Sequence, residues 1–149
     1  MDSKLVTCTS IGVYGHALTK GNVYQAVAEE ADRYRIIGNH NKRIWIDKYY
    51  VAEGEVEIPL LTGWKFDDSL EDFDLIEVTI TFNNGTKRWC LITTPERLVE
   101  HFKQSQLDPP GFNIQHLIIV RTMNDRDIEQ TLKHLDEQGE IEKATLFLE

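Results

Sequence analysis

Histidine and cysteine are the residues of this chain best suited to bind a metal ion, but their spacing predicts no site. The five histidines are His16, His40, His101, His116 and His134. No two of them lie three or four residues apart, the spacing by which one helix presents two ligands. Cys8 and Cys90 each lie in an apolar run, which favours buried free thiols over a disulfide or a metal pair. We expect no metal ion and no other cofactor, with a site assembled from distant residues as the alternative.

Paired carboxylates are a second feature that could carry chemistry. Asp67-Asp68 and Glu71-Asp72 could act as general acid and general base. Both pairs lie in a strongly acidic segment, where a solvated surface is the simpler interpretation. The sequence also lacks the G-x-S-x-G, Walker and G-x-G-x-x-G motifs. A protein without catalytic activity is therefore favoured, and an enzyme whose site forms at the interface of two modules is an alternative.

Most of the net charge of -9 comes from one segment. Residues 53–74 contain one Lys and eight Asp or Glu, whereas residues 1–52 contain seven Lys or Arg and five Asp or Glu. A nucleic-acid-binding domain is expected to be basic overall, whereas an acidic segment suits a basic protein partner. The layout therefore predicts a protein partner and disfavours nucleic acid.

Two segments are predicted to contact that partner. Aromatic residues interrupt the charges of the acidic connector at 53–74, so it offers anchors as well as electrostatic steering. The DPPGFN segment at 108–113 is predicted to be a stiff, extended loop, a shape that partners recognise. The candidate protein-binding residues are Trp64, Phe66, Asp67, Asp68, Glu71, Asp72, Pro109, Pro110 and Phe112.

Short strands are the elements predicted for the first module. The apolar and aromatic runs lie at residues 5–8, 23–27, 34–37, 43–46 and 48–51. Turn signals separate these runs at intervals of about eight to twelve residues, which is typical of a small sandwich or barrel.

The first module also resembles a known family. The phrases ALTKGNVYQAV, DRYRIIGNHNKRIWI and KYYV are similar to bacterial SH3-like small barrels. They share an L-T-x-G-x-x-Y opening, a central hairpin around a polar turn and an aromatic-rich closing strand. The resemblance covers about residues 17–51 and implies a barrel of about five strands. It also implies a role in binding peptides, cell-wall fragments or a partner domain, without assigning a binding site.

The second module combines a hairpin with further strands and helices. Residues 75–82 alternate between apolar and polar, as in a strand, and Asn-Gly at 84–85 predicts a tight turn. Residues 87–93 are predicted to form the second strand of this hairpin. Apolar runs at 116–120 and 144–148 predict two more strands, the first of them covered on both faces.

Two helices of this module are predicted from their ends. Thr94 and Pro95 suit the start of one helix, while Asn124 caps a second helix that Gly139 ends. The order is β-β-α-β-α-β. The predicted fold class is α+β, with an SH3-like small β-barrel at 1–52, an acidic connector at 53–74 and a layered α+β module at 75–149.

Two hairpins share the residues Lys-Arg and Trp. NHNKRIWI at 39–46 places Arg43 and Trp45 on one face, whereas NNGTKRWCL at 83–91 places Lys87 beside Trp89. The spacing differs by one residue, so the hairpins are not a repeat that preserves register. A nucleic-acid binder that uses the Arg43 and Trp45 face is an alternative function.

The overall composition is typical of a globular protein. Hydrophobic residues at 41% and charged residues at 28% are near the globular norm. No run approaches the roughly 18 apolar residues of a membrane helix, and MDSKLVTCTS lacks the apolar core of a signal peptide, so we expect a cytoplasmic location. We hypothesise a bacterial, non-catalytic protein-binding protein that acts through the acidic connector and adjacent surfaces. An immunity protein or antitoxin that masks a basic toxin site is the nearest alternative.

Overall fold

A computed structural model describes residues 4–103, 111 and 114–148. The fold is α+β, and the chain divides into two compact units. The first unit comprises the residues up to Leu60 together with Asp136–Gly139, and the second comprises Leu61–Leu135 and the residues from Glu140 onward. The candidate residues Pro109, Pro110 and Phe112 lie outside the described residues.

A curled antiparallel sheet, shaped as a half-barrel, forms the first unit. Its strands are β1 (Lys4–Cys8), β2 (Val23–Glu29), β3 (Arg33–Ile37), β4 (Arg43–Asp47) and β5 (Val51–Glu53). They pair in the order β4-β3-β2-β1-β5, and the register of β2 against β3 shifts between Ala26 and Ala28. Such a bulge bends a strand and increases its twist, which favours a curled sheet.

Alternation along the strands separates a buried face from an exposed one in this unit. In β3, Tyr34 and Ile36 are buried, whereas Arg33 and Arg35 are exposed. The core of the unit consists of Val6, Cys8, Leu18, Tyr24, Ala26, Tyr34, Ile36 and Ile46. Because successive side chains of a strand point to opposite faces, the arginines of β3 share the face opposite the core.

The residues of the L-T-x-G-x-x-Y phrase have structural roles. The Tyr24 hydroxyl accepts a hydrogen bond from Thr19 N at 2.7 Å and donates one to Asn39 Oδ1 at 2.9 Å. Gly21 adopts a φ of +88°, which disfavours a side chain there, and Leu18 is buried in the core. The phrase therefore builds the turn that leads into β2.

A mixed sheet and helices form the second unit. Its strands are β6 (Leu61–Phe66), β7 (Ile76–Phe82), β8 (Lys87–Thr93), β9 (Leu117–Ile119) and β10 (Leu146–Leu148), and its helices are α1 (Pro95–Phe102), α2 (Asp125–Glu137) and α3 (Ile141–Ala144). The last two residues of α2 belong to the first unit. Strand β7 pairs with β6 and β8, while β10 and β9 pair with successive halves of β8. Strand β9 is parallel to β8, and the other pairs are antiparallel.

One face of this sheet packs against helix residues. The core cluster contains Ile76, Val78, Ile80, Phe82, Cys90, Ile92, Ile118, Val120, Ile128, Leu132 and Ile141. The predicted alternation of β7 is confirmed, since its core residues follow at every second position. The opposite face of the sheet is therefore the one presented by Glu77, Thr79 and Thr81.

The predicted helix ends are confirmed. Thr94 Oγ1 accepts a hydrogen bond from Arg97 N at 3.2 Å, and Pro95 is the first residue of α1. Asn124 Oδ1 accepts one from Asp127 N at 2.8 Å at the start of α2. Gly139, which follows α2, has a φ of +69°. Local capping chemistry thus sets these boundaries.

Residues 53–74, predicted as one connector, have several structural roles. Residues 61–66 form β6, an edge strand of the second sheet, and residues 53–60 belong to the first unit. The alternation of half-buried Trp64 and Phe66 with exposed Lys65 explains the strand, because one face of a sheet strand is apolar. Only residues 67–74 remain as a connection, between β6 and β7.

The strand predicted at 116–120 is shorter and less covered than expected. It spans Leu117–Ile119, and Ile119 is 53% exposed. The prediction that both faces are covered is wrong, because the side chains that alternate with buried Ile118 face away from the core that α2 and α3 share with the sheet. In the described part of the chain, no helix combines the length and apolar character needed to cross a membrane.

Candidate functional site

The strongest candidate site is the connection between β6 and β7, residues Asp67–Asp74, which we call the acidic loop. Its eight residues contain Asp67, Asp68, Glu71, Asp72 and Asp74. The loop carries four of the predicted protein-binding residues. Its geometry separates the acids that hold the loop in place from those that face solvent.

Strand β7 anchors the beginning of the loop. Asp67 N donates to Glu77 O at 2.8 Å, and Asp67 Oδ2 accepts from Thr79 Oγ1 at 2.6 Å. Asp68 Oδ2 accepts from Glu77 N at 3.0 Å. The carboxylates of Asp67 and Asp68 are therefore hydrogen-bond acceptors that position the loop.

Strand β8 and helix α1 anchor the end of the loop. Arg97 Nη1 donates to Leu70 O at 2.9 Å and to Phe73 O at 2.8 Å, and Thr93 Oγ1 donates to Asp74 O at 2.8 Å. Hydrogen bonds from a charged group are among the stronger ones in proteins. Arg97 therefore holds the loop backbone, a role that its sequence position does not signal.

Glu71, Asp72 and Phe73 form the exposed tip of the loop. Both carboxylate side chains are exposed, and Phe73 is 53% exposed. Within the described residues, the side chains of Glu71 and Asp72 form no hydrogen bond or ion pair. An aromatic ring and two free carboxylates thus lie together on a backbone that the sheet and α1 hold in place.

Trp64 and Phe66 lie in β6, just before the loop. Their rings are 5.0 Å apart in an edge-to-face arrangement, and both pack against the core of the second unit. They are half-buried, with Trp64 opposite Ile80 and Phe66 opposite Val78. They therefore contribute to the core of the second unit, whereas Phe73 is an exposed aromatic side chain of the loop.

In the Arg43 and Trp45 hairpin, the cation that contacts the tryptophan ring comes from a neighbouring strand. The guanidinium over the Trp45 ring is that of Arg33, at 4.3 Å from the ring centroid, and Arg43 lies opposite Ile37. Arg33 also pairs with Glu30 at 2.7 Å. Arg33 lies diagonal to Trp45 on the neighbouring strand, since Arg35 is the residue directly opposite Trp45. A diagonal neighbour is still within reach of a long side chain. Arg33 therefore occupies one of the two faces of the Trp45 ring, which closes that face to a stacking base.

Histidine and cysteine are the residue types of this chain best suited to bind a metal ion. The rings of His16 and His40 approach to 5.7 Å, although they are distant in sequence. Among the described residues, no three His, Cys, Asp or Glu side chains are grouped so as to hold a metal ion. Burial raises the pKa of Cys8 to about 11 and that of Cys90 to about 12, so both thiols are protonated near neutral pH.

A shallow cleft of about 250 Å³ lies beside the first residues of α1 and the segment before α2. Arg97 and Arg121 line it, but Arg97 binds the acidic loop and Arg121 pairs with Asp127 at 3.2 Å. Hydrogen bonds from Thr122 and then from Arg121 hold the pKa of Asp127 below its usual value. Asp127 therefore has the structural role at a helix start that its position predicts.

The acidic loop is the surface whose geometry and charge argue most directly for binding. Its backbone is fixed at both ends, and its tip carries exposed Glu71, Asp72 and Phe73. In comparisons with family models, curated proteins and solved structures, nothing matches the chain. The functional conclusion therefore rests on the residues themselves.

Proposed function

We propose that the protein is a non-catalytic binding protein whose acidic loop docks a basic protein partner. The observation that carries this proposal is the exposure of Glu71, Asp72 and Phe73 on a loop held by hydrogen bonds from β7, β8 and Arg97. Long acidic loops without such bonds lose conformational entropy when they bind. A loop already held in one conformation avoids much of that cost.

The chemistry of the tip indicates the kind of partner. Carboxylates at an interface increase the association rate with a basic protein and disfavour acidic ones. An exposed aromatic ring supplies apolar area at little entropic cost, which is typical of residues that dominate binding energy. The expected partner therefore presents Lys or Arg side chains around a pocket that accepts the Phe73 ring.

We further propose that the first unit is an SH3-like small barrel. The curled five-stranded antiparallel sheet supports this assignment, as do the structural roles of Leu18, Thr19, Gly21 and Tyr24 in the shared phrase. In this proposal the unit is a binding module in its own right. A narrower version of the function is that of an immunity protein or antitoxin, in which the acidic loop masks a basic toxin site. A toxin gene beside the gene for this chain would favour that version.

The proposal predicts that charge at the loop tip controls partner capture. The double variant Glu71→Gln/Asp72→Asn should bind the basic protein partner about tenfold more weakly than the unchanged protein does, because the electrostatic attraction of the two carboxylates is lost. Neither side chain forms a hydrogen bond or ion pair within the described residues, so the fold should be preserved. Affinity is measured by calorimetry at several salt concentrations, with circular dichroism to check folding.

The matched control is Glu55→Gln/Glu57→Gln, which removes the same charge from exposed residues outside the loop. It should keep nearly full affinity. Equal losses in the two double variants would show that net charge alone drives binding, and an unchanged affinity in the loop variant would refute the proposed site.

A further inference from the structure

Strand β4 is an edge strand of the first sheet. In the described part of the chain, its only partner strand is β3. The residues that flank β4 bond toward that side, because Gly38 N donates to Lys42 O and Lys48 N donates to Asp32 O, each at 3.0 Å. The other side of β4 has no neighbouring strand among the described residues, and we call it the free edge.

The backbone of β4 presents three residues to the free edge. In antiparallel strands, a residue that bonds its neighbour alternates with one whose backbone groups point the other way. Lys42 and Lys48 bond toward β3, and the pairing between them follows one unbroken register. The residues that direct N–H and C=O to the free edge are Arg43, Trp45 and Asp47.

The side chains of the same three residues lie on the outer face of the first sheet, opposite its core. Trp45 lies directly opposite Arg35, so these two side chains share the face with Arg43. Arg35 and Arg43 are exposed, and Trp45 is half-buried. Within the described residues, neither arginine side chain forms a hydrogen bond or ion pair. Two unpaired cations and an aromatic ring therefore lie beside the free edge.

The other charged groups of this face have partners. Arg33 pairs with Glu30 at 2.7 Å, and Asp47 Oδ1 accepts a hydrogen bond from Tyr49 N at 2.7 Å. With Arg35 and Arg43 included, the arginines outnumber these carboxylates, so the face is positive although the chain as a whole carries a charge of -9. A local positive surface of this kind attracts an anionic partner.

We propose that the free edge of β4 binds an extended acidic segment of a partner protein, which joins the first sheet as an additional strand. Such a segment offers C=O and N–H groups to the backbone of the edge residues. An acidic side chain opposite Arg43 and an aromatic or branched side chain opposite Trp45 form favourable cross-strand pairs. This interface does not depend on the acidic loop or on its basic partner.

An acidic strand fits this edge better than nucleic acid does. Phosphate groups would be attracted to Arg35 and Arg43, but the backbone C=O groups of the edge would repel them. Arg33 also covers one face of the Trp45 ring, which leaves less room for a base. A peptide strand uses both the donors and the acceptors of the edge.

An acidic strand also fits better than a second copy of β4. Antiparallel pairing of two copies would place Arg43 opposite the partner's Asp47, but it would bring no anion for Arg35 of either copy. The positive faces of the two copies would then adjoin each other, whereas an acidic segment compensates their charge.

Fluorescence polarisation with the labelled peptide Lys-Val-Tyr-Val-Glu-Glu tests the proposal. Antiparallel to β4, this peptide places its Tyr opposite Trp45 and its first Glu opposite Arg43. Because only a few residues pair, we expect a dissociation constant on the order of 100 µM. The peptide in which both Glu are replaced by Lys should bind at least tenfold more weakly.

Methylation of single peptide nitrogens tests the strand pairing. In this alignment the N–H of the peptide Tyr points at the C=O of Trp45, whereas the N–H of the following Val points away from the edge. An N-methyl group on Tyr should weaken binding at least tenfold. The same group on that Val is the matched control and should change the affinity by about twofold at most. Equal losses for the two peptides would contradict the strand.

Replacement of one arginine tests the charge of the face. Arg43→Gln should weaken binding of the acidic peptide several-fold, because the glutamate opposite it loses its partner. Arg126→Gln is the control, since Arg126 is an exposed arginine of the second unit, and it should leave the affinity unchanged.

Three further results would overturn the proposal. The first is an acidic peptide that does not bind at about 1 mM, well above the expected dissociation constant. The second is a thymidine oligonucleotide that binds more tightly than the peptide and is weakened by Arg43→Gln. The third is a dimer, detected by sedimentation velocity, that Arg43→Gln dissociates, because it would assign the edge to a second copy.

Discussion

Replacing Arg97 with alanine is expected to weaken binding of the basic partner about tenfold, or by ~1.4 kcal/mol, although it makes the surroundings of the acidic loop more negative. Arg97 donates to the carbonyl groups of Leu70 and Phe73, so its loss releases the loop backbone at the tip. The partner then has to order the loop as it binds, and this cost exceeds the gain in attraction. Electrostatics alone predicts the opposite sign.

Calorimetry on Arg97→Ala decides between these two effects. Arg126→Ala is the control, because Arg126 is an exposed arginine of the same unit that contributes no hydrogen bond to the loop backbone among those of the described residues. The control should bind the partner as tightly as the unchanged chain or slightly more tightly. If Arg97→Ala also binds more tightly, then the ordered loop is not what the partner recognises.

Replacing Leu132 with alanine is expected to lower the free energy of unfolding of the second unit by about 3 kcal/mol. Leu132 is fully buried in the core that α2 forms with the sheet, so the change leaves a cavity among well-packed side chains. The neighbouring change Lys133→Ala should cost only a few tenths of a kcal/mol, since Lys133 is exposed.

Urea unfolding followed by tryptophan fluorescence measures this difference. In a Trp45→Phe background, the remaining tryptophans are Trp64 and Trp89, which both lie in the second unit. The fluorescence transition then reports that unit. Equal midpoints for Leu132→Ala and Lys133→Ala would contradict the described core.

Features that depend on neighbouring residues in sequence were predictable. Thr94 and Asn124 cap their helices through side-chain oxygens that reach amide groups three residues ahead. The Asn-Gly turn of the second hairpin forms because Gly85 adopts a φ of +84°, and Asn84 Oδ1 accepts from Thr86 N. Such chemistry is complete within a few residues, so one sequence is enough to recognise it.

Strand β6 was missed although its residues alternate. Trp64, Lys65 and Phe66 show the period of two that indicates a half-buried strand. Because many acids precede and follow them, the whole of 53–74 was predicted to be one extended acidic connector with packed aromatic residues. Charge composition describes a segment as a whole, whereas six residues are enough to form an edge strand.

Contacts between distant residues could not be predicted. Arg33 stacks on Trp45 from the adjacent strand, and Arg97 binds loop carbonyl groups more than twenty residues earlier in the chain. Both depend on strand pairing and on where a helix lies, which a single sequence does not specify. For the acidic loop, the sequence indicated the charges of Glu71 and Asp72 but not the hydrogen bonds that position them.

Site-specific photo-crosslinking tests most directly whether the acidic loop binds a basic protein. A photoreactive phenylalanine analogue replaces Phe73 in one variant and Val13, an exposed apolar residue of the first unit, in another. In lysate of cells that produce the protein, the analogue at position 73 should crosslink to one basic protein, and Glu71→Gln/Asp72→Asn should abolish that product. The analogue at position 13 should not form it. Equal crosslinking from both positions, or a product with an acidic protein, would contradict the proposed function.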